Sequence, residues 1–186
     1  MAAGVAPVAA GVQLSLWYGS GLALVVLSKL AFMSWGVGSS SLDFTGFSGH
    51  AMRAGAVFPV LMYVLLQQAD RRWRHAGVIA GVAFAVLVAI SRVVVHAHSV
   101  SEAVSGCVLG LAVALGFMWN ARGAVNIAVS HALALASLVL MVVLSFKAEP
   151  MPTELWLQKL AKVLSGHDRV FSRADWKLAQ DGRPAP

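Results

Sequence analysis

Charge is what this sequence has least of. Asp, Glu, Lys and Arg make up 12% of its 186 residues, against 59% apolar residues and a mean hydropathy of +0.76. A soluble domain carries about twice that charged fraction, so the composition excludes a water-soluble globule and calls for a lipid solvent. Cysteine is nearly absent. Cys107 is the single one and lies in an apolar run, which excludes an internal disulfide and any CxxC or Cys/His zinc spacing. No carboxylate cluster could hold a divalent ion, and nothing calls for a cofactor. No Lys or Arg precedes Lys29, so the charged start of a signal peptide is missing and the first apolar run reads as a retained span. Net charge is +6, yet no basic stripe interleaved with aromatics occurs. That points away from nucleic acid and toward an anionic membrane surface.

What is abundant is long apolar runs. A membrane-crossing helix needs about 20 mostly apolar residues. Residues 12–32, 51–69, 76–95, 103–119 and 124–146 meet or approach that length, with Pro59 inside the second run and Arg92 near the end of the third. The expected fold is therefore all-α, a polytopic transmembrane helix bundle of about five spans. Residues 1–146 form its membrane domain and 147–186 a polar, basic C-terminal tail. In that tail Leu157, Leu160, Ala161 and Leu164 fall on one helical face and Lys159 and Lys162 elsewhere, the pattern of an amphipathic helix on a membrane surface. Between the spans, residues 36–43 read as a flexible Gly/Ser-rich loop and residues 67–75, QQADRRWRH, as a tight basic turn. Two crossings separate the first-to-second connection from the third-to-fourth, so both lie on one side of the bilayer.

The ionisable residues gather at those two connections. Charged groups at membrane depth are costly and default to a functional reading. Here they are Lys29, His50, Arg92, His96, His98 and Glu102. Two strings carry most of them: Ser48-Gly49-His50, and Ser91-Arg92 followed by five residues, His98, three residues and Glu102. Such residue types suit phosphate ester cleavage. Glu102, four residues beyond His98, would share a helix face with it and accept its ring N–H. His98 could then attack phosphorus, and His50, which titrates near neutrality, could protonate the leaving oxygen. Lys29 and Arg92 could offset the negative charge of the phosphoryl oxygens. Ser48 and the Gly49 amide, just before a helix start, could donate to them as well.

In these strings and their order the chain resembles the type 2 phosphatidic acid phosphatase superfamily, which also includes vanadium haloperoxidases. That family's pattern is a lysine-bearing first motif, then (P)SGH, then SR-x5-H-x3-D. The resemblance covers residues 29–102 and implies a metal-independent membrane hydrolase of lipid phosphates or diphosphates that works through a phosphohistidine. Haloperoxidases are predominantly soluble, which favours the phosphatase branch.

Three departures stand out. The first motif continues K-x6-R-P in the family, whereas Gly36 and Val37 stand at the Arg-Pro positions here. Arg53, one turn past His50, is a candidate substitute for the missing arginine. Phe47 replaces the proline before SGH and is expected to loosen that turn, and Glu102 replaces Asp. A second Ser-Gly-His at 165–167 is out of order.

The alternative from another class is a non-catalytic membrane protein. It would be a degenerate phosphatase-like binding protein, or one using His50, His96, His98 and His131 for haem or a proton path. The basic turn at 67–75, with Arg122, reads as cytoplasmic. The site then faces the periplasmic side of a bacterial cytoplasmic membrane. The lipid and the oligomeric state are left open by the sequence.

Overall fold

The structure is a computed structural model that describes residues 5–121 and 153–180. Four apolar helices follow one another: α1 (Val5–Trp35), α2 (Gly49–Leu65), α3 (Arg71–Val94) and α4 (Val100–Ala121). Two shorter ones come later, α5 (Thr153–Ser165) and α6 (Arg173–Gln180). Among the described residues there is no β-strand, only an isolated bridge between Ser39 and Phe44. The all-α expectation holds.

Among the described residues three helices are long and apolar enough to cross a membrane: Val12–Trp35 within α1, then α3 and α4. Only 22% of the apolar window of α3 is buried inside the protein. Ile79, Leu87, Ile90 and Val94 project outward from it, as lipid-facing residues do. This is an integral membrane protein. The fifth run, residues 124–146, lies outside the described residues, as do Arg122 and His131.

α2 is short, 17 residues or about 25 Å, and continues through Pro59. It is the central helix. Met52 and Ala56 pack on Val25 of α1 and Val113 of α4. Ala51 meets Ala89, Ala103 and Cys107, and Ala54 and Phe58 meet Ala85 of α3. Lipid tails are as apolar as leucine, so such contacts are held by close packing rather than by water exclusion, and small residues make it possible. Gly106 and Gly110 of α4, spaced GxxxG, press on the α2 backbone: a Cβ at Gly106 would lie 2.5 Å from the Ser48 carbonyl oxygen. That close approach joins helix packing to the second motif.

Two sequence expectations shift. The basic stretch is not all turn, since Arg71 to His75 already form the first turn of α3. The predicted amphipathic helix exists as α5, but it also docks on the protein: Ala161 is fully buried, and its carbonyl accepts from Ser34 Oγ of α1 (3.4 Å). Trp156, Leu160, Val163 and Leu164 remain exposed, with Lys159 Nζ 5.8 Å from the Trp156 ring centroid.

Candidate active site

The spacing of the third motif is a helix stop followed by a helix start. α3 ends in a Schellman motif: the Ala97 N–H donates to the Arg92 carbonyl (3.0 Å) and the His96 N–H to that of Val93 (2.9 Å). His96 sits at the left-handed position, with φ +54°. The His98 N–H also donates to the Arg92 carbonyl (3.2 Å), which ties the nucleophile candidate to the arginine before it. α4 then opens with a capping box: the Glu102 N–H donates to Ser99 Oγ (3.3 Å) and the Ser99 N–H donates back to Glu102 Oε2 (3.3 Å).

His98 and Glu102 therefore do not share a helix, contrary to the spacing argument. His98 lies in the connection before α4, and the capping box turns the Glu102 side chain back to meet it. The outcome is the expected contact, His98 Nδ1 to Glu102 Oε2 at 2.9 Å. A carboxylate only accepts, so Nδ1 carries the proton and the His98 lone pair is on Nε2.

Glu102 is 2% exposed, and its carboxylate is held by donors from three segments. Oε2 takes His98 and Ser99. Oε1 takes the Thr45 N–H (2.9 Å), the Thr45 hydroxyl, and Nη2 of Arg173 (2.9 Å). An unpaired carboxylate at this depth would be costly, and this one is fully engaged.

The Gly/Ser-rich connection is ordered by these contacts rather than flexible. Ser39 and Phe44 exchange two backbone hydrogen bonds (3.0 and 2.9 Å), and Ser101 Oγ donates to the Leu42 carbonyl (2.7 Å). Gly46, at φ +148°, lies against the Lys29 stem. Nor does Phe47 loosen the turn before SGH. Its N–H, which a proline would lack, donates to Ser28 Oγ (3.1 Å). Its ring packs edge-on against Phe44.

Ser48 is fully buried. Its N–H donates to the Glu102 carbonyl (3.0 Å), and its hydroxyl caps α2 by accepting from the Ala51 N–H (3.4 Å). Its side chain is thus engaged in structure, and Arg92 Nε donates to Ser91 Oγ (3.4 Å). Gly49 opens α2 beside Ser48. The charged groups lie in the open part of the site: His50 and Arg53 are exposed, Lys29 and Arg92 half-buried. Arg92, Arg53, His98 and Lys29 are all near enough to His50 to act on it electrostatically, so the five belong to one region. Among the described residues no three His, Cys, Asp or Glu side chains come together as a metal centre would need.

The residue that motif reading misses is Arg173, 71 positions beyond Glu102. It reaches the site because the connection from Arg169 to Ser172 is tied to the first turn of α6. Asp175, 3% exposed, accepts from the Ser172 N–H (2.7 Å), the Ser172 hydroxyl (2.9 Å) and Arg169 Nη2 (3.0 Å). Burial pushes the Asp175 carboxyl up, but these donors more than offset it and hold it below the usual carboxylate value. The second Ser-Gly-His is a helix stop instead: Gly166, at φ +71°, follows the last residue of α5.

The PAP2 superfamily model matches residues 14–125. The chain belongs to that superfamily. A further relative, an uncharacterized 22.5 kDa protein in the cps region of Klebsiella pneumoniae, is 36% identical over 166 residues, covering 88% of this chain and 79% of that one. Phosphatidylglycerophosphatase B of Bacillus subtilis is 42% identical over 78 residues, only 40% of this chain and 37% of that protein. No solved structure matches. Every PAP2 motif position from Lys29 to Glu102 falls inside the matched residues, whereas α5, α6 and Arg173 fall outside them.

His96, between two motif residues, is separable from them by its backbone. The left-handed region costs a non-glycine residue about 1–2 kcal/mol. His96→Gly is expected to keep turnover and to hold or raise the thermal midpoint in detergent. His96→Val should lower the thermal midpoint, because a β-branched residue fits the left-handed region worse than histidine does. A folded glycine variant with no activity would instead give His96 a chemical role.

Proposed function

We propose that this protein is an integral-membrane phosphatase that hydrolyses a lipid phosphate or diphosphate through a phosphohistidine, without a metal ion. The observation that carries the reading is the His98 Nδ1 to Glu102 contact of 2.9 Å. It supports Nε2 as the nucleophile, in the region that also holds His50, Lys29 and Arg92. Nε2 attacks phosphorus and the bond to the leaving oxygen breaks, with His50 giving that oxygen a proton. Water then attacks the phosphohistidine, loses a proton to His50, and frees His98 and phosphate. Lys29 and Arg92 neutralise the phosphoryl oxygens throughout, Arg92 with a fork that can hold two of them. Arg53, exposed on the next turn of α2, can add to that charge.

A lipid substrate is supported by the charged groups standing at or near the ends of apolar helices. The Bacillus relative makes phosphatidylglycerophosphate the first substrate to try, followed by phosphatidate, a polyprenyl diphosphate and a phosphorylated glycolipid. The basic start of α3, at the opposite end of the bundle from the site, points to the cytoplasm by the positive-inside rule. The site then faces the periplasmic side of a bacterial cytoplasmic membrane. Purified protein should release phosphate from one or more of these lipids, equally with and without EDTA. Loss under EDTA that magnesium restores would defeat the metal-free mechanism.

A further inference from the structure

The C-terminal segment docks where the family pattern is broken. Gly36 stands at the position of the first-motif arginine, and it ends α1 with φ +69°. A Cβ there would lie 3.0 Å from the Phe171 ring, so the bare glycine is what admits Phe171. The Phe171 N–H donates to the Met33 carbonyl (2.9 Å), and Trp176 packs edge-on to Phe32, centroids 5.1 Å apart. The same segment delivers Arg173, whose Nη2 is 2.9 Å from Glu102 Oε1 and whose Nε is 2.9 Å from Asp43 Oδ1. One guanidinium thus bridges a loop carboxylate and the carboxylate that holds His98.

We infer that Arg173 is a positioning residue for the phosphatase chemistry: it fixes the Glu102 carboxylate, and through it the His98 ring, from a segment outside the family-matched part of the chain. This rests on the function proposed above. The geometry separates it from a phosphate ligand. Arg173 spends its observed contacts on two carboxylates, and Oε1 without it would keep only Thr45. Because Oε2 serves His98 and Ser99 while Oε1 serves Arg173 and Thr45, the guanidinium sets the plane in which Oε2 meets the imidazole. A held carboxylate matters most when the ring becomes cationic during phosphoryl transfer, so the effect should fall on kcat.

The test is a double-mutant cycle on the full chain in detergent–lipid micelles, reading both phosphate release and thermal unfolding. Arg173→Gln should lower kcat roughly tenfold to a hundredfold, the range of a charged hydrogen bond, with KM changed less than about twofold. Arg173→Lys, which keeps charge without the fork, should recover part of the loss. In a Glu102→Gln background the Arg173→Gln change should cost less than about threefold more. Three results would overturn the inference: unchanged kcat, a raised KM at constant kcat, or losses that multiply fully. If the native protein turns over no lipid phosphate, the function reading fails instead. The cycle in thermal midpoint then still decides whether Arg173 and Glu102 are coupled, and additive midpoints would remove the contact itself.

Discussion

Replacing His98 by alanine is expected to bring phosphate release down to the uncatalysed background, on lipid phosphates and on p-nitrophenyl phosphate alike. The ring sits 2.9 Å from Glu102 through Nδ1, so Nε2 is the nitrogen available to phosphorus. On the proposed mechanism no substrate, however activated, avoids the need for it. Loss of a nucleophile that works as a unit with its base costs on the order of 10⁶-fold in a serine protease, and a comparable collapse should follow here. An acid-labile, base-stable phosphoenzyme trapped from the native protein should vanish in the variant. His50→Ala should differ in kind. Its proton is needed by an alkoxide leaving group and hardly at all by p-nitrophenolate, so the loss should be much smaller on the nitrophenyl ester than on a lipid. A folded His98→Ala variant within about tenfold of native rate would remove the phosphohistidine from the mechanism.

The sequence was most legible where periodicity and order along the chain carry the information. Apolar runs gave α1 to α4 because a bilayer leaves helices as the available hydrogen-bonded form. Motif order brought Lys29, His50, Arg92, His98 and Glu102 to one end because two crossings return the chain to the same side. Legibility failed at the loops. His98 and Glu102 looked like neighbours on one helical face, yet His98 lies in the connection before α4 begins at Val100. The S-x-x-E string at Ser99 to Glu102 was the available signal for the start, and the left-handed His96 had none. Residues 36–43 looked flexible by composition but are fixed by Leu42 and, just beyond them, by Thr45 and Phe47 bonding to other elements, which no local pattern encodes. Arg173 was the hardest case. It reads as one of several basic residues in a polar tail, and its role comes from a contact across 71 positions.

Those findings change what Glu102 stands for. As a family position it is an aspartate lengthened by one methylene. In the folded protein that longer arm also closes the capping box of α4, since Glu at the third helical position is the residue that reaches back to the cap N–H. It also spans from Ser99 and His98 on one oxygen to Thr45 and Arg173 on the other. Substitution at this position therefore has two components, one chemical and one structural, and they can be pulled apart.

Glu102→Gln keeps the size and the capping geometry but removes the charge that stabilises a cationic His98. It also presents an NH2 to groups that are themselves donors: His98 Nδ1 and Ser99 on one side, Thr45 and Arg173 on the other. The loss should fall on kcat with little change in KM, because on the proposed mechanism the carboxylate acts when the ring turns cationic and not in holding the substrate. Loss of the orienting carboxylate in a hydrolase triad costs about 10⁴-fold, and a reduction of about 10²- to 10⁴-fold is expected here. Glu102→Asp keeps the charge and restores the family residue, but its arm cannot reach Ser99, His98, Thr45 and Arg173 together. It should keep substantial turnover while unfolding at a lower temperature, since the capping interaction is weakened by about 0.5–2 kcal/mol. The order expected in rate is native at or above Asp, and both far above Gln. If Gln stays near the native rate with normal insertion and folding, Glu102 is a helix cap that happens to touch His98. If Asp loses rate as severely as Gln while remaining folded, what matters at this position is the reach of the arm, and the family's aspartate would not be an equivalent part.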